Sequence, residues 1–200
     1  FDGTQSPASL MRTARKMERR GQIVDAGEIY ESLNAWGEAA SAFARAGQFS
    51  RAAAAYEMGG DRAHAIGLYE SDQNFEKAAQ CATADGQRDR AAANYIKAAE
   101  KAAAENSFAK AADYFEKAGS FGRAGRVYET VRRIEDALRC YERAGDIVRI
   151  EEILRQLDPN EIAMKGNISQ EIIRRSAELL VRQGQHRKAA ESLESLHDYV

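Results

Sequence analysis

Apolar and polar positions along this chain repeat with a fixed step of thirteen residues. Aromatic side chains mark the step: Tyr30, Phe43, Tyr56 and Tyr69, then Tyr95 after Ala82 has held the phase. It resumes at Phe115, Tyr128 and Tyr141 and reaches Leu154. These positions are termed anchors. Four residues before each anchor stands an alanine (Ala26, Ala39, Ala52, Ala65, Ala78, Ala91, Ala111, Ala124, Ala137), with Ile150 the departure. Seven before it the residue is mostly large and apolar: Ile23, Trp36, Phe49, Phe75, Phe108, Phe121, Ile134 and Ile147, with Arg62 and Arg88 as exceptions. Three before it the residue is mostly small, as at Gly27, Ala40, Ala79, Ala112 and Gly125. Offsets of about 0, 3, 4 and 7 lie on one face of an α-helix. Gly47, Gly60, Gly86, Gly119 and Gly145 follow their anchors by four residues, where a helix ends in a left-handed backbone. The pattern predicts helices of about ten residues joined by links of about three. Such short links force successive helices to run antiparallel. A helix this short is marginal alone in water, so each must be held by its neighbours, as in a solenoid.

The phase extends outward to Met17, with Leu10, Ala14 and Gly21 at the matching offsets, and to Leu180 and Leu193, with Ile173, Ala177, Ala189 and Ala190. It breaks twice. From Tyr95 to Phe115 is twenty residues, seven more than the step. Seven residues are about two helical turns, so one helix near residues 89–105 is expected to be longer with its apolar face in register. Near 158–169, Asp158, Pro159 and Glu161 look like a helix start, and Gly166 like its end. Longer helices are expected near 170–183 and 186–199, richer in Leu and Ile, as suits a cap on the last repeat. The expected organisation is a flexible segment or linker over 1–9, a short-helix solenoid over 10–157 and capping helices over 158–200.

Composition sharpens this all-α reading. Hydrophobic residues make up 44% of the chain, with alanine supplying about a fifth of all positions. Alanine is the best helix former, and the only prolines are Pro7 and Pro159. Cys81 and Cys140, the only cysteines, each precede an anchor-phase residue by one. They are expected as buried thiols, having neither metal-ligand spacing nor the number for a disulfide framework. No apolar run reaches transmembrane length. The chain begins at Phe1 rather than Met, which suggests a processed chain or a fragment. Structural roles are expected for His64, His186 and His197: His64 is expected to have no acidic or Cys partner at helical spacing, and His186 stands seven before an anchor-phase residue. No phosphate loop, nucleophile elbow or zinc spacing occurs. No catalytic residue, metal or cofactor is therefore expected.

Ala39–Phe43–Ala46, Ala111–Phe115–Ala118 and Ala137–Tyr141–Ala144 share one pattern, and Gly47-Gln48-Phe49 and Gly119-Ser120-Phe121 share another. Both resemble the second helix and joints of a tetratricopeptide repeat. The resemblance covers residues 10–157. It departs in length, because two helices take 26 residues here against about 34 in that family. The Trp, Leu-Gly and closing Pro positions of the family are also absent as a set. The chain is similar to short-helix relatives such as the solenoids of coat and intraflagellar-transport subunits. The resemblance implies a right-handed superhelical solenoid that works by protein binding and assembly, and it transfers no catalytic residue.

Charge is ordered as well, with a net value of only −2. Arg51, Lys77, Arg90, Lys110, Arg123 and Arg149 stand five before their anchors, and Glu31, Glu57, Glu70, Glu116, Glu129 and Glu142 one after. Basic starts and acidic ends oppose the helix dipole, so pairs between antiparallel neighbours are expected. The first helix carries Arg12, Arg15, Lys16, Arg19 and Arg20 against Glu18, which compensates an acidic second helix or forms a patch for an acidic partner. Small residues at Gly37, Ser41, Ala63, Gly67 and Gly122 suggest that every second helix lines a crowded concave side. Its outward positions would then be Arg45, His64, Arg90, Asn94, Lys97, Arg123, Arg126 and Arg149, a mainly basic groove for an acidic or phosphate-bearing peptide. The expected function is a non-catalytic protein-interaction scaffold, cytoplasmic, one module of a larger protein, with no nucleic-acid partner and no membrane insertion. The alternative is a regulatory or sensor module for a small ligand or signalling nucleotide, and an enzyme ranks last.

Overall fold

The computed structural model describes residues 6–156, 174, 177, 178, 180–182 and 184–197. The helix start expected at Asp158, Pro159 and Glu161, and its end at Gly166, lie outside the described residues, as does much of the 170–183 helix. So do the side chains of Leu154, Leu193 and His197. Among the described residues all regular structure is α-helical.

The chain forms two compact units, Phe1–Ala98 and Ala99–Val200. The first holds α1 (Pro7–Arg19), α2 (Ile23–Ser32), α3 (Trp36–Arg45), α4 (Phe49–Met58), α5 (Arg62–Ser71) and α6 (Phe75–Ala84). Helix α7, Arg88–Ala104, has 17 residues and contributes to both. The second holds α8 (Phe108–Lys117), α9 (Phe121–Thr130), α10 (Ile134–Ala144), α11 (Ile147–Gln156) and, after further helical residues between 174 and 182, α12 (His186–His197).

Helices α2 to α11 all begin seven residues before an anchor-phase residue, including those that open on Arg62 and Arg88. Their links share one geometry. The residue four after the anchor is left-handed, and the next residue donates its N–H to the anchor carbonyl, as in Gln48 to Phe43 and Ser120 to Phe115. Both bonds close the helix end by satisfying carbonyls that would otherwise lack partners. Glycine suits this backbone, but Asn34, Gln73, Asn106 and Arg132 adopt it too, with φ of 55°, 54°, 58° and 57°. The turn is thus imposed by the packing of the two helices it joins. Asn106 follows Ala102, which lies thirteen residues before Phe115. Helix α7 therefore carries two anchor-phase residues, Tyr95 and Ala102, and then makes the usual turn.

The alanines four before the anchors are nearly all without solvent contact, as are Phe43 and Tyr141. Tyr56 is the exception among the aromatic anchors and is half-buried. Small alanines let backbones approach while the anchor rings fill the space left. In the first unit this builds one apolar cluster around Phe43, Tyr30 and Ile29 and another around Tyr69 and Ile66. In the second, Ile147 packs with Ala177, Leu180 and Ala189. Each helix from α2 to α6 packs on the one before it, as do α9 on α8, α10 on α9 and α11 on α10. Cys81 and Cys140 are buried free thiols, and burial pushes the Cys140 thiol up to about 12.

Candidate protein-binding surfaces

The eight candidate groove residues fall five in the first unit and three in the second. In the first, Arg45 ends α3 and pairs with Glu18 of α1. His64 corrects the expectation that it lacks an acidic partner: it bonds Asp61, three residues before it at the start of α5, at 2.7 Å, and it stacks on Tyr56, with ring centroids 5.3 Å apart. Arg90 grips Glu70 of α5 through two bonds of 2.9 and 2.7 Å. Asn94, one turn on, donates to the same carboxylate at 2.7 Å. The Arg90 fork, aided by Asn94, holds the Glu70 carboxyl below its ordinary range. Lys97 lies over the Phe75 ring, 5.4 Å from its centroid.

Asn94 corrects the expectation that it projects outward: it is only 1% exposed. It stands one residue before its anchor, a position that is also buried at Ile29, Ala42, Cys81 and Cys140. The same offset placed the two thiols beside the core and should have placed Asn94 there too.

In the second unit, Arg123 pairs with Glu100 at 2.9 Å and covers the Phe115 ring at 4.8 Å. Arg149 is shared by Glu129 at 2.9 Å and Glu152 at 2.6 Å. Arg126 is exposed and has no ion pair among the described residues.

A recurring polar frame explains most of this pairing. A glutamate one residue after an anchor accepts a bond from the anchor tyrosine of the next helix, twelve residues on. Tyr30 donates to Glu18 at 3.0 Å, Tyr69 to Glu57 at 3.3 Å, Tyr128 to Glu116 at 2.8 Å and Tyr141 to Glu129 at 3.1 Å. In three cases the residue twenty after a glutamate of this position is a cation that pairs with it: Arg51 with Glu31 at 3.2 Å, Arg90 with Glu70, and Arg149 with Glu129. Arg51 also covers the Phe43 ring at 4.1 Å, so a frame lacking the tyrosine hydroxyl keeps a cation–ring contact. The expected Arg/Lys–Glu ladder thus exists with a different reach. Its pairs at Arg51, Arg90 and Arg149 join each helix to the helix two further on, not to its antiparallel neighbour.

The crowding expected at Gly37, Gly67 and Gly122 is not found. A Cβ at Gly37 would meet nothing within 4 Å, and at Gly67 and Gly122 it would meet single atoms at 4.0 Å. The crowded glycines are Gly27, 2.7 Å from the Phe43 ring, and Gly125, 2.8 Å from the Tyr141 ring. Small residues here mark the entry of a neighbour's anchor ring rather than a curve.

Two surface features of the first unit lie outside the eight candidates. An open depression of about 410 Å³ is walled by Glu18, Tyr30, Gly37, Glu38, Ser41 and Tyr56. Separately, Arg12, Arg15, Lys16 and Arg19 line α1 at helical spacing and Arg20 caps its C-terminus, all exposed, with no ion pair among the described residues. No group of His, Cys, Asp and Glu among the described residues could hold a metal ion, and no described helix is long and apolar enough to cross a membrane.

Short helices, repeated left-handed links and a polar frame with one period define an all-α helical repeat of the tetratricopeptide-like kind. No protein-family profile matches the sequence, and no curated protein matches it. Solved structures do match. BtubC from P. vanneervenii is 15% identical over 96% of this chain and 87% of its own, with a TM-score of 0.31. A Podosopora anserina kinesin light chain with nearly identical TPR-like repeats is 16% identical over 98% of this chain and 97% of its own, with a TM-score of 0.24. Its Q17M variant has the same identity and TM-score, over 98% and 96%.

Proposed function

We propose that this chain is a non-catalytic protein-interaction scaffold, one module of a larger assembly. Residues 10–157 form its binding array and 158–200 its cap. The observation that carries this reading is the basic stripe of α1. Arg45, Arg90, Arg123 and Arg149 are already neutralised by carboxylates of the chain, whereas Arg12, Arg15, Lys16, Arg19 and Arg20 form no ion pair among the described residues. An unpaired stripe of one sign attracts a partner of the opposite sign, which supports an acidic protein segment. Of the eight groove candidates, Arg126 keeps a cation without an ion pair among the described residues, and Lys97 acts on Glu70 only from beyond contact distance. They are retained as secondary contacts, each within its own unit.

The test is affinity capture with the full chain from a nuclease-treated lysate, beside an Arg12→Glu, Arg15→Glu, Arg19→Glu variant. The expected result is a partner enriched by the native chain and lost by the variant at an unchanged melting temperature, with capture weakening as salt rises. Equal capture by both chains would remove α1 as the binding face.

A further inference from the structure

The polar frame has one position where its sign is reversed, and the two units resolve that reversal differently. Twenty residues after Glu18 comes Glu38, and twenty after Glu116 comes Asp136. Both stand where other frames carry Arg51, Lys77, Arg90 or Arg149. Each frame therefore sets a second carboxylate near the first, a repulsive arrangement unless a cation lies between them.

In the second unit that cation is present. Arg139 reaches Asp136 at 2.9 Å and Glu116 at 3.6 Å, and Arg143 approaches Glu116 at 3.7 Å. Arg133 also bonds Asp136, at 2.6 Å. In the first unit the same offsets carry Glu38 for Asp136 and Ala35 for Arg133, so neither cation of that side is present. Glu18, Tyr30 and Arg45 match Glu116, Tyr128 and Arg143, and the same tyrosine–glutamate and arginine–glutamate contacts form. The residue matching Arg139 is Ser41. There the depression opens, walled by Glu18, Glu38, Ser41, Gly37 and the Tyr30 and Tyr56 side chains. Glu38 has no ion pair among the described residues, and nothing lies within 4 Å of a Cβ built on Gly37.

We propose that this depression is a binding site for the guanidinium of an arginine side chain from a partner protein. The guest takes the place that Arg139 fills in the second unit. It bridges Glu38 and Glu18 and lies beside the half-buried Tyr56 ring, which favours a cation over the face that His64 does not cover. Its planar fork matches carboxylates better than an ammonium does. The proposal rests on the scaffold reading and names one side chain of the partner. It uses a surface separate from the α1 stripe.

The probe is a fluorescent nine-residue Gly/Ser peptide with one central arginine, titrated against the full chain, beside versions carrying lysine or citrulline there. The arginine peptide is expected to bind, and the citrulline peptide to bind about tenfold more weakly or worse, as loss of charge-assisted bonds implies. Ser41→Arg rebuilds the internal bridge, so it should block the arginine peptide while holding or raising the melting temperature. Glu38→Gln, an exposed change that spares packing, should weaken the peptide severalfold. Equal binding of arginine and citrulline peptides, or undiminished binding to Ser41→Arg or to Glu38→Gln, overturns the site. Equal binding of the lysine peptide overturns the guanidinium assignment. A partner captured through α1 but indifferent to Ser41→Arg leaves the scaffold reading standing and removes this site. Arginine-peptide binding without any captured partner does the reverse.

Discussion

Single residues decide how closely these helices approach, and the glycines divide into two kinds. A glycine inside a helix costs about 0.5–1 kcal/mol relative to alanine, so each needs a reason. Gly27 and Gly125 have one: an added methyl would meet the buried rings of Phe43 at 2.7 Å and Tyr141 at 2.8 Å. Gly37 has open space around it. Gly27→Ala and Gly125→Ala should each destabilise by about 1–3 kcal/mol through overpacking, despite the better helix former. Gly37→Ala should stabilise by up to about 1 kcal/mol. Denaturant midpoints of the three variants decide it, and a rise for Gly125→Ala would show that the ring can move aside. The sequence showed that positions three before the anchors are small, but it pointed to crowding at Gly37, where there is none.

At the scale of the helix, four C-terminal glutamates, Glu18, Glu57, Glu116 and Glu129, are tied to the tyrosine of the next element. The bond leaves a mark on titration. Burial first, then the nearby Glu57 carboxylate, raises the Tyr69 hydroxyl from 10.0 to about 12. Burial, with the bond to Glu116, raises Tyr128 likewise to about 12. The folded state holds these protons more tightly than the unfolded chain, so unfolding releases them at high pH. Their contribution is fully present below 10.0 and is lost as pH rises from there through about 12. Stability should therefore fall steeply across that window. Tyr69→Phe should flatten the fall and cost about 0.5–1.5 kcal/mol at neutral pH for the lost bond. Denaturant midpoints from neutral to strongly alkaline pH test this, with phenolate absorbance as the second readout. Two tyrosines ionising at the ordinary value in the folded protein would contradict it.

For the molecule as a whole, the units are sets of elements that lean on neighbours, so damage should stay local. Phe43→Ala empties a site without solvent contact and should cost about 3–5 kcal/mol. Hydrogen exchange should then rise most in α2, α3 and α4, less in α6, and stay unchanged in α8 to α11. A uniform rise over every helix would mean one cooperative block and would defeat this picture. The same locality explains how one unit can carry a filled frame around Arg139 and the other an open frame around Ser41.

Helix starts, anchor burial and the link geometry were legible in the sequence because a one-dimensional repeat turns sequence separation directly into spatial separation. An apolar residue at a recurring offset has a single place to go, which is why the alanines and most of the aromatic anchors are buried. Helix α1's basic stripe was legible too, since helical spacing alone aligns Arg12, Lys16 and Arg19. Tertiary structure alone decided the partners of the long polar side chains. Glu129 could have met a cation on the adjacent helix, and geometry chose Arg149, twenty residues on, because Tyr141 already occupied the nearer side. It decided as well that Gly27 is crowded and Gly37 free, since crowding depends on where a neighbour's ring points. And it decided that Glu18 and Glu38 border an open depression while Glu116 and Asp136 close around Arg139. A charge on a solvent face leaves no periodic trace of what lies opposite it.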